Sequence, residues 1–137
     1  MKRLLVFVFA VTLLGSCGTG VKERYTFIPD EKFEQAIIDL GLDDVIDGKV
    51  LVKNIDSLKY LNVSMLGISD LKGIEAFNAL THLNCSFNYQ IDSLDVSKNK
   101  ALIDLNCRDN KLTFLDVSNN TALMKLICPG TKLTGLD

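Results

Sequence analysis

The side chains best suited to chemistry in this 137-residue chain are four cysteines, one histidine and a short acidic run. Cys85, Cys107 and Cys128 are spaced 22 and 21 residues apart, and Cys17 stands alone near the N-terminus. Four cysteines in a secreted chain normally invite disulfide pairing. The regular interval points elsewhere, because it gives three thiols one position in a repeat. Inward side chains on adjacent parallel strands stack roughly 4.8 Å apart with parallel Cβ directions. A disulfide wants Cβ atoms nearer about 3.8 Å and converging. A column of buried free thiols, packed as small hydrophobes, is therefore expected. No His, Asp or Glu shares that inward position and no zinc spacing occurs, so neither a metal site nor a cofactor is expected.

The sole histidine, His82, is expected within reach of Asp104, with Ser86 two residues further on. A hydrolase would also need a pocket and an oxyanion hole, and an open sheet offers neither, so the chain is read as not an enzyme. Asp43-Asp44-Val45-Ile46-Asp47-Gly48 superficially resembles a calcium loop. Such a loop needs an oxygen ligand where Val45 stands and a closing glutamate that is missing, so a turn closed by Gly48 is the better reading.

The elements that must carry these residues repeat. Leu80-Thr-His-Leu83-Asn-Cys85-Ser-Phe-Asn88 is answered by Leu102-Ile-Asp-Leu105-Asn-Cys107-Arg-Asp-Asn110 and by Leu123-Met-Lys-Leu126-Ile-Cys128-Pro-Gly-Thr131. Leu58-Lys-Tyr-Leu61-Asn-Val63 begins a degenerate first copy. Within each head Leu and Cys alternate with polar residues, the period of a strand with one buried face. One such strand cannot hide its apolar side alone, whereas stacked copies bury it against one another. The pattern L-x-x-L-x-C-x-x-N is the signature of a leucine-rich repeat. The fold expected is an α/β repeat solenoid: a short, right-handed leucine-rich-repeat solenoid with a parallel β-sheet and an N-terminal capping helix.

The inward core is read as Leu61, Val63, Leu83, Cys85, Leu105, Cys107, Leu126 and Cys128. The outward face is read as Tyr60, Asn62, His82, Asn84, Ser86, Asp104, Asn106, Arg108, Lys125 and Ile127, the broad ordered surface a solenoid uses for recognition. Asn88 and Asn110 fall where the chain leaves the strand, and their amides suit free backbone groups of the turn. Behind the sheet, Leu71, Ile74, Phe77 and Leu80 recur every three residues and predict a 3₁₀ or short helical return. Leu94-Asp-Val96 and Leu115-Asp-Val117 alternate and predict short extended returns. Repeats are placed at about 58–79, 80–101, 102–122 and an incomplete 123–137.

Ahead of them, Lys2 and Arg3 precede an apolar run from Leu4 to Leu14 and then Gly15-Ser16-Cys17. The run is too short to span a bilayer as a helix and suits a secretory signal. Leu14-Gly15-Ser16-Cys17 resembles a bacterial lipobox, so residues 1–16 are read as a lipoprotein signal, Cys17 as the lipidated residue and 17–24 as a mobile tether. Cleavage there removes two basic residues from a chain of formal charge −2 and leaves −4, which gives no support to nucleic-acid binding. Residues 25–57 are read as the N-terminal cap. Asp30 suits a helix N-cap, with Glu31 and Glu34 in the first turn. Phe33, Ala36, Ile37 and Leu40 form one apolar stripe, which predicts a helix over about 30–40 closed by Gly41. Val50-Leu51-Val52 and Ile55 are expected to supply a first strand at the sheet edge.

Phe27-Ile28-Pro29-Asp30 and Phe33-Glu34-Gln35-Ala36 resemble the cap of the internalin-like leucine-rich-repeat lipoproteins of Bacteroidetes. Ile68-Ser-Asp-Leu71-Lys-Gly73-Ile74 resembles their first repeat, and Leu94-Asp-Val-Ser-Lys-Asn99 and Leu115-Asp-Val-Ser-Asn-Asn120 resemble their returns. The likeness covers nearly all of the mature chain. It implies a non-catalytic module that recognises a protein or glycan at the outer membrane or cell surface, held by a lipid on Cys17. Two departures matter: Thr131 replaces asparagine in the last head, and Leu66-Gly67 stands near that position in the first. An asparagine ladder of only two rungs is therefore expected. The family pattern also implies more repeats and a further C-terminal domain. Leu126, Cys128, Leu133 and Leu136 are then expected to face water. Either the chain is a truncated structural fragment of a longer protein, or that end associates with a copy of itself or another partner.

Overall fold

The computed structural model describes residues 22–136. Cys17 and the expected signal lie outside the described residues. Four short strands, β3 (Tyr60–Asn62), β4 (His82–Asn84), β5 (Asp104–Asn106) and β7 (Lys125–Ile127), form one parallel sheet in the order β3-β4-β5-β7. Register places Leu61, Leu83, Leu105 and Leu126 opposite one another in a single column. Leu61, Leu83 and Leu105 are buried, as are Val63, Cys85 and Cys107 in the next inward column. Leu126 and Cys128 are partly buried against the same core. The chain is thus a leucine-rich-repeat solenoid whose turns shield one another from water.

The returns change character along the axis. A 3₁₀ turn, Ile74–Ala76, backs the first repeat where the three-residue recurrence predicted it. Gly73 before it has φ +104, and a Cβ there would come within 2.7 Å of Ile28 Cγ1 and 2.8 Å of the Phe27 carbonyl oxygen. Only glycine meets both demands. Further along, β6 (Phe114–Leu115) pairs in parallel with β8 (Gly135–Leu136). Leu94–Val96, by contrast, pairs with no strand.

The cap is built from a helix and a hairpin. Helix α1 (Glu31–Asp39) starts at Asp30, whose Oδ1 accepts from the Lys32 and Phe33 amides. Its buried face carries Phe33, Ala36 and Ile37, and Phe33 stacks on Phe77 of the first repeat at 6.1 Å between ring centroids. Asp30 Oδ2 accepts from the Ser69 amide and hydroxyl and from the Asp70 amide, so one carboxylate caps the helix and fastens it to the solenoid.

Two expectations for the cap are corrected. Lys49–Leu51 (β2) pairs antiparallel with Tyr25–Phe27 (β1), not with the solenoid sheet, and Val52–Ile55 is a turn of helix (α2). A residue sequence rich in Val and Leu fits either setting; the partner strand decided. Glu23 and Arg24, expected in the tether, are bound: Glu23 pairs with Lys53 at 2.8 Å and the Arg24 carbonyl accepts from the Val52 amide. Glu34 lies in the first turn as expected, and its side chain is buried. It is 1 % exposed, and its Oε1 accepts from the Asp47, Gly48 and Lys49 amides, which ties the acidic loop to the helix.

The asparagines hold the solenoid turns together. Asn88 Oδ1 accepts from the Leu66 and Ile68 amides, and its Nδ2 donates to the Val63 and Cys85 carbonyls. Asn110 Nδ2 donates to the Cys85 and Cys107 carbonyls. Two rungs on one column were expected; the structure adds a second column. Asn99 Nδ2 donates to the Ile74 and Phe77 carbonyls, and Asn120 Nδ2 to those of Val96 and Asn99. The 21-residue spacing of Asn99 and Asn120, one repeat length, was the signal. On the first column Thr131 stands in for asparagine through its Oγ1, which donates to the Cys128 carbonyl at 2.6 Å.

Candidate recognition surface

The parallel register turns the outward strand positions into columns running across the repeats. The first column is Tyr60, His82, Asp104 and Lys125, and the second is Asn62, Asn84, Asn106 and Ile127. Together they line an open depression of about 450 Å³, with Leu40 from the end of α1 at its rim. A sheet fixed by an inward column of leucines holds these side chains at a constant pitch, and the side chains themselves can vary without cost to the core.

In the first column Tyr60 stacks on His82, with ring centroids 4.5 Å apart and planes 24° from parallel. Asp104 and Lys125 pair at 3.2 Å. The expected approach of His82 to Asp104 is thereby corrected. The two are neighbours in register, but the carboxylate takes the lysine and the imidazole Nδ1 lies 2.9 Å from Thr81 Oγ1. In water-exposed surroundings a directly opposed ion pair and an aromatic stack satisfy all four residues at once.

The second column is tied to the turn that follows each strand. Asn62 Oδ1 accepts from the Ser64 amide and hydroxyl, and Asn84 Oδ1 accepts from the Ser86 amide and hydroxyl. Asn106 Oδ1 accepts from the Arg108 amide. These are Asx turns, in which the side chain imitates a backbone carbonyl. None of the three amide NH₂ groups donates to another described residue.

Ser86 does not belong to the outward face, a correction to the expected set. It is 2 % exposed, its hydroxyl engaged by Asn84. The residue after Ser64, after Ser86 and after Arg108 is left-handed, Met65, Phe87 and Asp109 having φ of 62, 57 and 51, and the chain folds over at this corner, although only Ser86 of the three is buried. Arg108 remains exposed, its guanidinium 5.4 Å from the Phe87 ring centroid and its Nε donating to Asp109 Oδ2. Sequence patterning alone could not find this corner, because left-handed backbone is rarely occupied by Met or Phe.

Behind the face, the thiols line up as the spacing predicted. Cys85 and Cys107 are buried and Cys128 is partly so, all three as free thiols. Burial raises the Cys85 thiol far above its ordinary value, with Cys107 beside it adding to the effect. Burial, then the neighbouring Cys128, pushes Cys107 up to about 12. Thiols so raised are protonated at neutral pH and are poor nucleophiles. A second depression, about 640 Å³, lies on the return side between the 3₁₀ turn and the flat returns, bordered by Lys72, Glu75, Asp92 and Phe114.

No protein-family model and no curated protein matches the chain. Solved structures do. The functional domain of InlJ from Listeria monocytogenes, described as including a cysteine ladder, is 33% identical with a TM-score of 0.73, over 84% of this chain and 26% of that one. An internalin of the same species, inlF, is 22% identical with a TM-score of 0.70, over 81% of this chain and 36% of that one, and shares the fold. This chain therefore spans well under half the length of either. The fold is an internalin-like leucine-rich-repeat solenoid.

Proposed function

We propose that this chain is a recognition module, exported and held at the cell surface by a lipid on Cys17, which binds a protein or glycan on the open face of its parallel sheet. The observation that carries the reading is that face: Tyr60, Asn62, His82, Asn84, Asp104, Asn106, Lys125 and Ile127 stand in two ordered columns around one depression, with the whole leucine core behind them. Nucleophile and base are not assembled there, since Ser86 is buried and His82 is turned to Thr81. Lys2 and Arg3, the apolar run to Leu14 and Gly15-Ser16-Cys17 support the lipid anchor. The likeness of the cap and of the L-D-V-S-x-N returns to Bacteroidetes repeat proteins supports an outer-membrane address.

The test is binding of the purified chain to arrayed surface proteins and glycans, repeated with Tyr60→Glu and His82→Glu on the face and Lys98→Glu on the return side. Loss confined to the face variants is expected. A ligand that survives both face variants and is lost with Lys98→Glu overturns the reading. Mass spectrometry of the mature N-terminus checks the anchor, where an unmodified Cys17 would remove it.

A further inference from the structure

We infer that the ligand of the open face is a neutral, unbranched polysaccharide lying across the strands, read by the amide donors of Asn62, Asn84 and Asn106. The inference rests on the open face being the binding surface. Each of these asparagines spends its Oδ1 on the turn that follows its own strand. What each presents outward is its NH₂ group, and the Oδ1 of Asn62 and Asn84 already accepts two bonds, so the column offers mainly donors. The donors recur at the strand pitch, roughly 4.8 Å. A complementary ligand must carry acceptor oxygens at a similar interval along a line perpendicular to the strands. An extended chain of β-linked pyranose rings advances by a closely similar distance per sugar and presents ring and hydroxyl oxygens at each step.

The other features of the face agree. Asp104 and Lys125 neutralise one another, so the first column offers no unbalanced charge to a polyanion or polycation. Tyr60, 67% exposed and supported from one side by His82, presents an aromatic plane of the kind that takes the C–H face of a sugar. An extended peptide does not match, because carbonyls on one side of a strand recur every second residue, at roughly twice 3.3 Å. An amphipathic helix needs an apolar trough, and of the eight outward residues only Ile127 is aliphatic. A second copy of this face would set donors against donors.

The test uses cellohexaose, xylohexaose and chitohexaose with the purified full chain in isothermal titration, and polygalacturonate as the anionic control. At least one neutral hexasaccharide should bind, with affinity unchanged between low and high salt. Asn84→Asp keeps the turn acceptor and removes the donors, so it should weaken binding at least tenfold while the thermal midpoint stays within a few degrees. Asn84→Ser, which keeps a shorter acceptor, should do the same. If no neutral hexasaccharide binds, if polygalacturonate binds more tightly, or if Asn84→Asp binds as the native chain does, the inference is overturned. A surface protein that binds and is lost in Tyr60→Glu, with no saccharide bound, overturns this inference and leaves recognition by the open face standing. A ligand indifferent to every face variant overturns both.

Discussion

Replacing Asn88 by alanine tests the central physical premise, that buried amides substitute for missing backbone partners where the solenoid turns. Asn88 is 1 % exposed and makes four hydrogen bonds to backbone. The four groups do not lose equally. The Cys85 carbonyl keeps a second partner in Asn110, and the Leu66 amide, on an exposed residue, can turn to water. The Val63 carbonyl and the Ile68 amide have no other partner and belong to fully buried residues. At about 1–3 kcal/mol for each buried group left unpaired, Asn88→Ala costs roughly 2–6 kcal/mol. Against a typical total of about 5–15 kcal/mol this brings the chain close to unfolding. Asn99→Ala is the internal control, equally buried and similar in the void it leaves. The Ile74 and Phe77 carbonyls it releases keep the Phe77 and Leu80 amides, so its cost is nearer 1–3 kcal/mol, about that of two ordinary hydrogen bonds. Urea denaturation followed by circular dichroism reads both, provided the slope with urea is unchanged. If Asn88→Ala is no more destabilising than Asn99→Ala, orphaned backbone groups are not what the ladder prevents.

Met65→Gly should stabilise the chain by about 0.5–1 kcal/mol and raise its melting temperature, because Met65 holds φ 62 with a side chain 75% exposed. A fall in melting temperature would show that the Met65 side chain packs after all. Burial raises the Asp30 carboxyl, but the bonds from the Ser69 amide and hydroxyl and from the Phe33 and Asp70 amides outweigh it and hold the pKa below its ordinary value. Its stabilisation is therefore complete above the unfolded value of about 3.9 and lost as pH falls through the lower folded value. Hydrogen exchange at the Ser69 and Asp70 amides should quicken in that acid window and become insensitive to it in Asp30→Asn; equal acid dependence in both proteins would contradict the latch. With iodoacetamide at neutral pH, Cys128 should be modified before Cys85 or Cys107 in the folded chain, as peptide mapping would show. Equal rates for Cys85 and Cys128 would mean that the thiol column opens to solvent.

Much of the architecture was legible because it is periodic. A leucine at a fixed interval can be buried by its own copies, so the spacing of Leu83, Leu105 and Leu126 alone predicts one inward column, and the same logic places the three thiols. Asp30 at the head of α1 was equally readable, since capping is a local matter of one side chain and the amides two and three residues on. Glu34 was not readable in that way. Its partners lie 13 to 15 residues onward, and a glutamate in a first helical turn has the same local pattern whether it meets water or a loop.

By itself, then, the sequence determined what repeats: the strand columns, the buried leucines and thiols, and the outward positions of the sheet. Only the tertiary structure decided what those outward residues do to one another. Whether Asp104 meets His82 or Lys125, whether Ser86 faces water, and which half of each Asn62, Asn84 and Asn106 amide remains free all depend on contacts between strands and on the left-handed corner beyond them. Periodicity specifies which face a side chain occupies, while its hydrogen-bond partners are chosen by neighbours far away in the chain.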